Sequence, residues 1–139
     1  MMNRILNKYL LLFGIGGIIY IILELLWRGW SHWTMFILGG ACFVCLGLIN
    51  EVIPWNMPLW KQVLIGAFII TALEFLTGCI VNLWLGWGIW DYSKLPGNIL
   101  GQICPEFFML WLAIALAGII LDDWLRYWLF DEELPHYTL

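Results

Sequence analysis

Residues 73–111 read LEFLTGCIVNLWLGWGIWDYSKLPGNILGQICPEFFMLW, and this stretch decides the fold. It begins inside an apolar run that carries one carboxylate, Glu74. It continues through a Trp-Asp-Tyr-Ser turn at 90–93 and a Pro-Gly-Asn loop at 96–98, and then enters a second apolar run that opens with Glu106. This pattern predicts two apolar helices joined by a polar loop. We expect the rest of the chain to form a membrane-spanning scaffold around this unit.

The composition is that of an integral membrane protein. Of the 139 residues, 63% are hydrophobic and 12% are charged, whereas soluble domains average roughly 45–50% apolar and about 25% charged residues. The length predicts one domain over 1–139, and the absence of a basic patch argues against a nucleic-acid partner. Cys42 and Cys45 have CxxC spacing but lie inside an apolar run, so they are interpreted as packing residues. No cofactor is predicted, and metal binding is left open.

Four apolar runs are long enough to cross a bilayer, which takes about 20 helical residues. They are Ile5–Trp27, Thr34–Asn50, Leu59–Leu85 and Pro105–Leu129. The sequence therefore predicts an all-α bundle of four transmembrane helices, with breaks at 28–32, 54–58 and 91–101. The first run is too long for a secretory signal and should remain as the first span. Most of the 11 tryptophans lie beside these breaks, as expected for aromatic belts at the two membrane surfaces.

The basic residues divide unequally between the two ends of the predicted bundle. On the side of the termini lie Arg4, Lys8, Lys61 and Arg126; on the other side lie Arg28 and Lys94. Positively charged loops favour the cytoplasm. The distribution predicts a multi-pass plasma-membrane protein with both termini in the cytoplasm and the loop at 91–101 outside.

Ionisable residues inside the apolar helices are the candidate functional groups. A charge near the bilayer centre costs roughly 2.5–3.5 kcal/mol, and such residues generally face a bundle interior or a cavity. Glu74 lies near the middle of its helix with no basic residue within a turn. It must be protonated, paired with another helix or bound to a cation.

Helical spacing predicts four stripes of small and polar residues that can face a common axis. The stripes are Gly17, Tyr20, Glu24 and Arg28; Gly40, Val44, Gly47 and Glu51; Ala67, Thr71, Glu74, Gly78 and Asn82; and Glu106, Leu110, Ala113 and Ala117. Small residues allow helices to approach closely, and polar residues find partners across the interface.

Several candidates also have purely structural interpretations. Glu24 and Arg28 are spaced to pair as i,i+4 neighbours, and Asp122 can pair with Arg126 in the same way. Glu106 follows a proline in the first turn of its helix, where a carboxylate complements the helix dipole. In the loop, the aspartate at 91 is of a type that commonly braces a turn.

The motifs Glu74-Phe-Leu-Thr-Gly78 and Trp90-Asp-Tyr-Ser93 resemble the CmpB-like family of "putative ABC-transporter type IV" permeases, which are small bacterial membrane proteins. The resemblance continues through Pro96, Asn98, Gly101, Ile103-Cys104 and Trp111, and more loosely to Glu24 and Arg28-Gly29. The family's usual Gly-Pro and Pro-x-Tyr-Gly segment after that Arg-Gly is absent here. The resemblance implies transport. The sequence contains no GxxxxGK[ST] loop, so an ATPase would be a separate subunit, and the few short helices imply a homodimer or larger oligomer.

A second resemblance is to the membrane lycopene-cyclase domains. It rests on Gly88, Trp90, Tyr92, Gly101 and the run Pro105-Glu106-Phe107-Phe108. It implies acid-initiated chemistry on an apolar polyene, although the second glutamate expected after the first is replaced by phenylalanine.

Three functions are therefore considered, all for a protein surrounded by membrane lipids. The first is a transporter-like protein that binds or moves a small cation or polar solute. Its predicted site residues are Glu74, Glu24, Glu106, Asp91, Tyr92, Ser93, Asn98 and Arg28. The second is an intramembrane enzyme acting on a lipid or isoprenoid, with Glu106 or Glu74 as general acid. The third is a structural or regulatory subunit. The sequence favours the first of these over catalysis.

Overall fold

The computed structural model describes residues 2–52 and 57–137. Over these ranges the chain forms four α-helices and no strand. They are α1 (Met2–Arg28), α2 (Trp33–Val52), α3 (Leu59–Gly78) and α4 (Pro105–Phe130), and α3 continues without a break as a π-helical segment, Cys79–Trp84. The predicted all-α, four-helix class is confirmed. The predicted break at 54–58 lies mostly outside the described residues.

Three of these helical segments are long and apolar enough to cross a membrane. They are Asn3–Arg28, Leu59–Trp84 and Pro105–Phe130, each of 26 residues. At roughly 1.5 Å per residue such a helix exceeds the ~30 Å of bilayer hydrocarbon. The apolar part of α2, Trp33–Ile49, is shorter. Large apolar side chains such as Phe68 remain exposed on the outer surface, as expected where helices contact lipid tails.

Paired glycines bring α1 and α2 into close contact. A Cβ atom at Gly17 would lie 2.7 Å from the carbonyl oxygen of Phe36, and one at Gly40 would lie 2.7 Å from the carbonyl oxygen of Phe13. The contacts are reciprocal, because each helix presents glycine to the other helix's phenylalanine. Small residues at a membrane helix interface permit this approach of backbones.

The core lies where α2 packs against α3 and α4. The buried residues of this cluster are Leu46, Ile49, Ala67, Ile70, Trp111, Ala115 and Ile119. As predicted, Gly17 and Gly40 face the bundle interior, and so do Ala67, Glu74 and Gly78 on α3.

The predicted inward stripe of α4 does not pack into the core. Its members Glu106, Leu110, Ala113 and Ala117 are exposed. The buried face of α4 instead carries Trp111, Ala115, Ile119, Asp122 and Arg126. Turning this face inward buries the large apolar side chains of Trp111 and Ile119, which gain more from burial than alanine does. The charges of Asp122 and Arg126 are tolerated on this face because they pair with each other.

A network of charged side chains closes the bundle at the end where the termini lie. The predicted pair forms: Arg126 Nε lies 2.8 Å from Asp122 Oδ2. Arg126 also contacts Glu51 on α2, and Lys8 Nζ on α1 lies 2.8 Å from Glu51 Oε1. The same Lys8 nitrogen lies 2.6 Å from Glu132 Oε2, after the end of α4. These contacts connect three helices and the C-terminal segment.

We expect Gly17→Ala to destabilise the bundle by about 1–3 kcal/mol, because the added methyl group overlaps the α2 backbone. Gly14→Ala is the matched control, since nothing lies within 4 Å of a Cβ atom there; it should be neutral or slightly stabilising. Thermal unfolding of the detergent-purified protein measures both. Equal effects of the two substitutions would contradict the packing described.

Candidate functional site

The end of the third helix is shaped to hold the following loop. Within the π-helical segment Cys79–Trp84, the side chain of Asn82 makes two hydrogen bonds to residues beyond it. Its Oδ1 accepts from the backbone N–H of Ile89 at 2.6 Å, and its Nδ2 donates to Gln102 Oε1 at 2.8 Å. One amide side chain therefore connects the helix end to both ends of the loop.

The loop folds back against α3 at Gly78, six residues before the helical segment ends. Trp90 Nε1 donates to the carbonyl of Gln102 at 3.0 Å, and Tyr92 N donates to the carbonyl of Gly101 at 2.7 Å. A Cβ atom at Gly78 would lie 2.5 Å from Gln102 Oε1 and 2.9 Å from Trp90 Cζ2. Glycine at 78 is therefore what allows this close approach.

Three of the predicted site residues brace the loop. Asp91 Oδ1 accepts from the backbone N–H of Ser93 at 2.9 Å, and this hydrogen bond lowers the pKa of Asp91. Asn98 Oδ1 accepts from Gly101 N at 2.9 Å, while its Nδ2 donates to the carbonyls of Leu95 at 2.9 Å and Ser93 at 3.2 Å. The turn-bracing interpretation of Asp91 agrees with these contacts.

Glu74 lies where the loop, α3 and α4 meet. Its side chain is buried, with a relative exposure of 3%. Oε2 accepts a hydrogen bond from the Tyr92 hydroxyl at 2.9 Å, and Oε1 accepts from Trp111 Nε1 at 3.1 Å. Burial and the nearby Glu74 carboxylate raise the pKa of Tyr92, so this hydroxyl remains a donor. Among the described residues, no Lys, Arg or His forms an ion pair with Glu74.

Aromatic rings from three elements surround this carboxylate. Tyr92 from the loop stacks on Phe107 of α4, with ring centroids 4.5 Å apart and an interplanar angle of 10°. Tyr20 of α1 makes an edge-to-face contact with Trp111 at 6.3 Å. Such contacts stabilise beyond the area they bury, and they fix the two donors that hold Glu74.

Two cavities meet at Glu74. The first, which we call the apolar cleft, has a volume of about 440 Å³ and lies between α1, α2 and α4. The second, which we call the vestibule, has a volume of about 360 Å³ and lies under the loop. The charged and aromatic residues of the vestibule include Glu24, Arg28, Asp91, Tyr92, Lys94 and Phe107. Glu74 lines both cavities.

The charges of the vestibule other than Glu74 lie close to opposite charges. Arg28 Nε lies 2.5 Å from Glu24 Oε2, which confirms the predicted i,i+4 pair. The guanidinium of Arg28 has two additional contacts. Its Nη1 donates to the carbonyl of Ile89 at 2.7 Å, and its Cζ lies 3.9 Å from the ring centroid of Trp30. Arg28 is therefore committed to partners other than Glu74.

The structure brings five of the eight predicted site residues together at one cavity, whereas Ser93, Asn98 and Glu106 line neither cavity. Glu24, Arg28, Glu74, Asp91 and Tyr92 line the vestibule. Glu106 is exposed in the first turn of α4 and lines neither cavity. In the described ranges, no group of three or more His, Cys, Asp or Glu side chains is arranged to hold a metal ion.

Sequence reasoning missed the partners of Glu74. Trp111 and Tyr92 come from other elements, 37 and 18 residues away along the chain. One signal was present: Trp111 is the tryptophan that lies clearly inside a predicted span instead of beside a break. Nothing in the local sequence indicated that Gln102 would join the helix end to the loop.

Comparison of the chain with models of known protein families gives a match over nearly the whole chain. Residues 1–131 match the family described as "Putative ABC-transporter type IV". Searches of curated proteins and of solved structures find no match.

We expect Asn82→Leu to loosen the loop, because it leaves the backbone N–H of Ile89 and the side chain of Gln102 without their partner. Unmade buried hydrogen bonds cost about 1–3 kcal/mol. Limited trypsin digestion with mass spectrometry should show cleavage after Lys94 rising about tenfold or more, since local opening becomes easier. Asn7→Leu, at an exposed position of α1, is the control. Unchanged cleavage in Asn82→Leu would argue against this bracing.

Proposed function

The chain belongs to the family described as "Putative ABC-transporter type IV", and on this premise we propose that it binds a small cation at Glu74 as part of a transport process. The observation that carries the proposal is the environment of this carboxylate. It is buried, it accepts hydrogen bonds from two neutral donors, and among the described residues it has no cationic partner.

Neutral donors orient an ionised carboxylate without cancelling its charge. A buried charge in a membrane helix is costly unless something compensates it. Either a proton or a bound cation can do so at Glu74. The Glu24–Arg28 pair is already neutral as a unit, and Asp91 faces the opposite charge of Lys94. Among the described residues that line the vestibule, Glu74 is therefore the buried carboxylate whose charge is left for a ligand to neutralise.

Competition between a proton and a cation for one carboxylate provides a way to couple their movements. Protonation removes the charge that attracts the cation, and cation binding displaces the proton. Titratable groups that face Glu74 are Tyr20 and Glu24 on α1, Cys42 on α2 and Tyr92 in the loop. We propose that Glu74 exchanges these two ligands through the vestibule.

The family description suggests that other transporter components take part. We propose that the ATPase of such a system is a separate subunit and that this chain works as a homodimer or larger assembly in the plasma membrane, with both termini cytoplasmic. The geometry does not favour the alternative of an intramembrane enzyme using Glu106 as general acid, because that carboxylate is exposed and lies outside both cavities.

We expect a cation that fits the site to raise the unfolding temperature of the wild-type protein, because a ligand that binds only the folded state stabilises it by about 2.7 kcal/mol at 100 times its Kd. Purified protein is unfolded in chlorides of sodium, potassium, ammonium and tetramethylammonium at constant ionic strength. Glu74→Gln should abolish the shift.

Glu106→Gln is the matched control, because it makes the same carboxylate-to-amide change on an exposed side chain. It should retain the full shift. If no cation stabilises the wild type more than Glu74→Gln, or if Glu106→Gln loses the shift as completely, then the proposed site is wrong.

A further inference from the structure

The apolar cleft is a feature that binding of a small cation does not explain. Its volume of about 440 Å³ falls within the range of about 300–1,000 Å³ typical of ligand pockets. It is open at one side between α1 and α4, where Leu23 and Leu110 are 41% and 40% exposed. Since both residues lie in membrane-spanning segments, this opening faces the hydrocarbon of the bilayer.

Small side chains on α4 leave this space open. Ala113 and Ala117 of α4 line the cleft although they are exposed, and Gly16 and Gly39 line it from α1 and α2. The stripe of small residues predicted on α4 therefore forms one surface of the helix. That surface borders the apolar cleft and not the packed core. Larger side chains at Ala113 and Ala117 would fill the cleft, whereas a Cβ atom at Gly16 or Gly39 would overlap Phe43 or Tyr20.

The lining of the apolar cleft becomes polar at one end only. Its lining is otherwise almost wholly apolar, and the carboxylate of Glu74 lies where the cleft meets the vestibule. From Glu74 the cleft extends along α4 past Trp111 towards Leu121. A molecule occupying both cavities would thus have an apolar body in the cleft and a polar head beside Glu74.

We propose that the ligand of this site is an amphiphilic organic cation, with one ammonium head and one hydrocarbon tail, that reaches the cleft from the bilayer. The inference rests on the proposed function and adds the class of ligand. The carboxylate of Glu74 complements the ammonium group, and the rings of Tyr20, Tyr92 and Trp111 around it suit a cation. The apolar cleft would hold the hydrocarbon tail of the ligand away from the charged residues of the vestibule.

Other occupants fit these features less well. An alkali cation would leave the cleft empty, and a neutral lipid would depend on a proton to neutralise Glu74. An anionic head group would be repelled by the same carboxylate. A second copy of the chain could cover the cleft with an apolar helix, and the oligomeric state of the Ala117→Phe variant would then change.

The test measures binding of three probes to the protein in lipid nanodiscs: tetramethylammonium, butyltrimethylammonium and octyltrimethylammonium. Burial of each added methylene should raise affinity up to about fourfold. For each protein, the affinity for octyltrimethylammonium is divided by the affinity for tetramethylammonium. The ratio is then divided by the same ratio measured in nanodiscs that carry Glu74→Gln, so that partitioning of the probes into lipid cancels. The wild type should show a ratio far above one.

Two alanine substitutions locate the tail. Ala117→Phe should fill the cleft and reduce the corrected ratio towards one. Ala72→Phe makes the same change at an exposed position of α3 that lines neither cavity, and it should keep the wild-type ratio. If both variants behave alike, the tail does not occupy the cleft.

The outcomes separate the two proposals. Binding of all three probes with equal affinity, dependent on Glu74, would retain the cation site and overturn the amphiphile. Absence of any binding above the Glu74→Gln background would overturn both. If the wild type shows no dependence on chain length and Ala117→Phe converts an oligomer into monomers, the cleft is an interface between copies and the amphiphile is overturned.

Discussion

The two hydrogen bonds to the carboxylate of Glu74 are the interaction on which the site depends. A carboxylate placed within an apolar helix must find polar partners, because lipid offers none. Its donors are the Tyr92 hydroxyl from the loop and the Trp111 indole from α4. A single side chain of α3 thereby connects the loop with the inward face of α4.

The loop can reach Glu74 only because the helix end is built for it. Gly78 leaves room for the Trp90 ring and the Gln102 side chain, and the π-helical segment presents Asn82 to both ends of the loop. Widened helical turns of this kind are rare and occur frequently at functional sites. The residues of the Trp-Asp-Tyr-Ser turn thus serve two purposes, since Asp91 stabilises the turn while Tyr92 extends from it to the buried carboxylate.

The distribution of charge gives the site its chemical character. At the end near the termini, Lys8, Glu51 and Arg126 are joined in one network, and in the vestibule Glu24 and Arg28 form a pair. Pairing reduces the cost of partial burial for each of these groups. Glu74 differs because its partners are neutral and because it borders both a charged vestibule and an apolar cleft. This contrast underlies both the proposed cation site and the proposed class of ligand.

The sequence by itself determined the membrane class, the four helices to within a few residues, the i,i+4 pairs Glu24–Arg28 and Asp122–Arg126, and the position of the Glu74 carboxylate inside an apolar helix. All of these follow from hydropathy and helical spacing, which are properties of contiguous residues. Only the tertiary structure decided that Glu106 is exposed, that α4 buries the Trp111 face, and which donors and cavities surround Glu74. Those features depend on the rotation of each helix about its axis and on contacts between residues 18 to 75 positions apart, which no local pattern specifies.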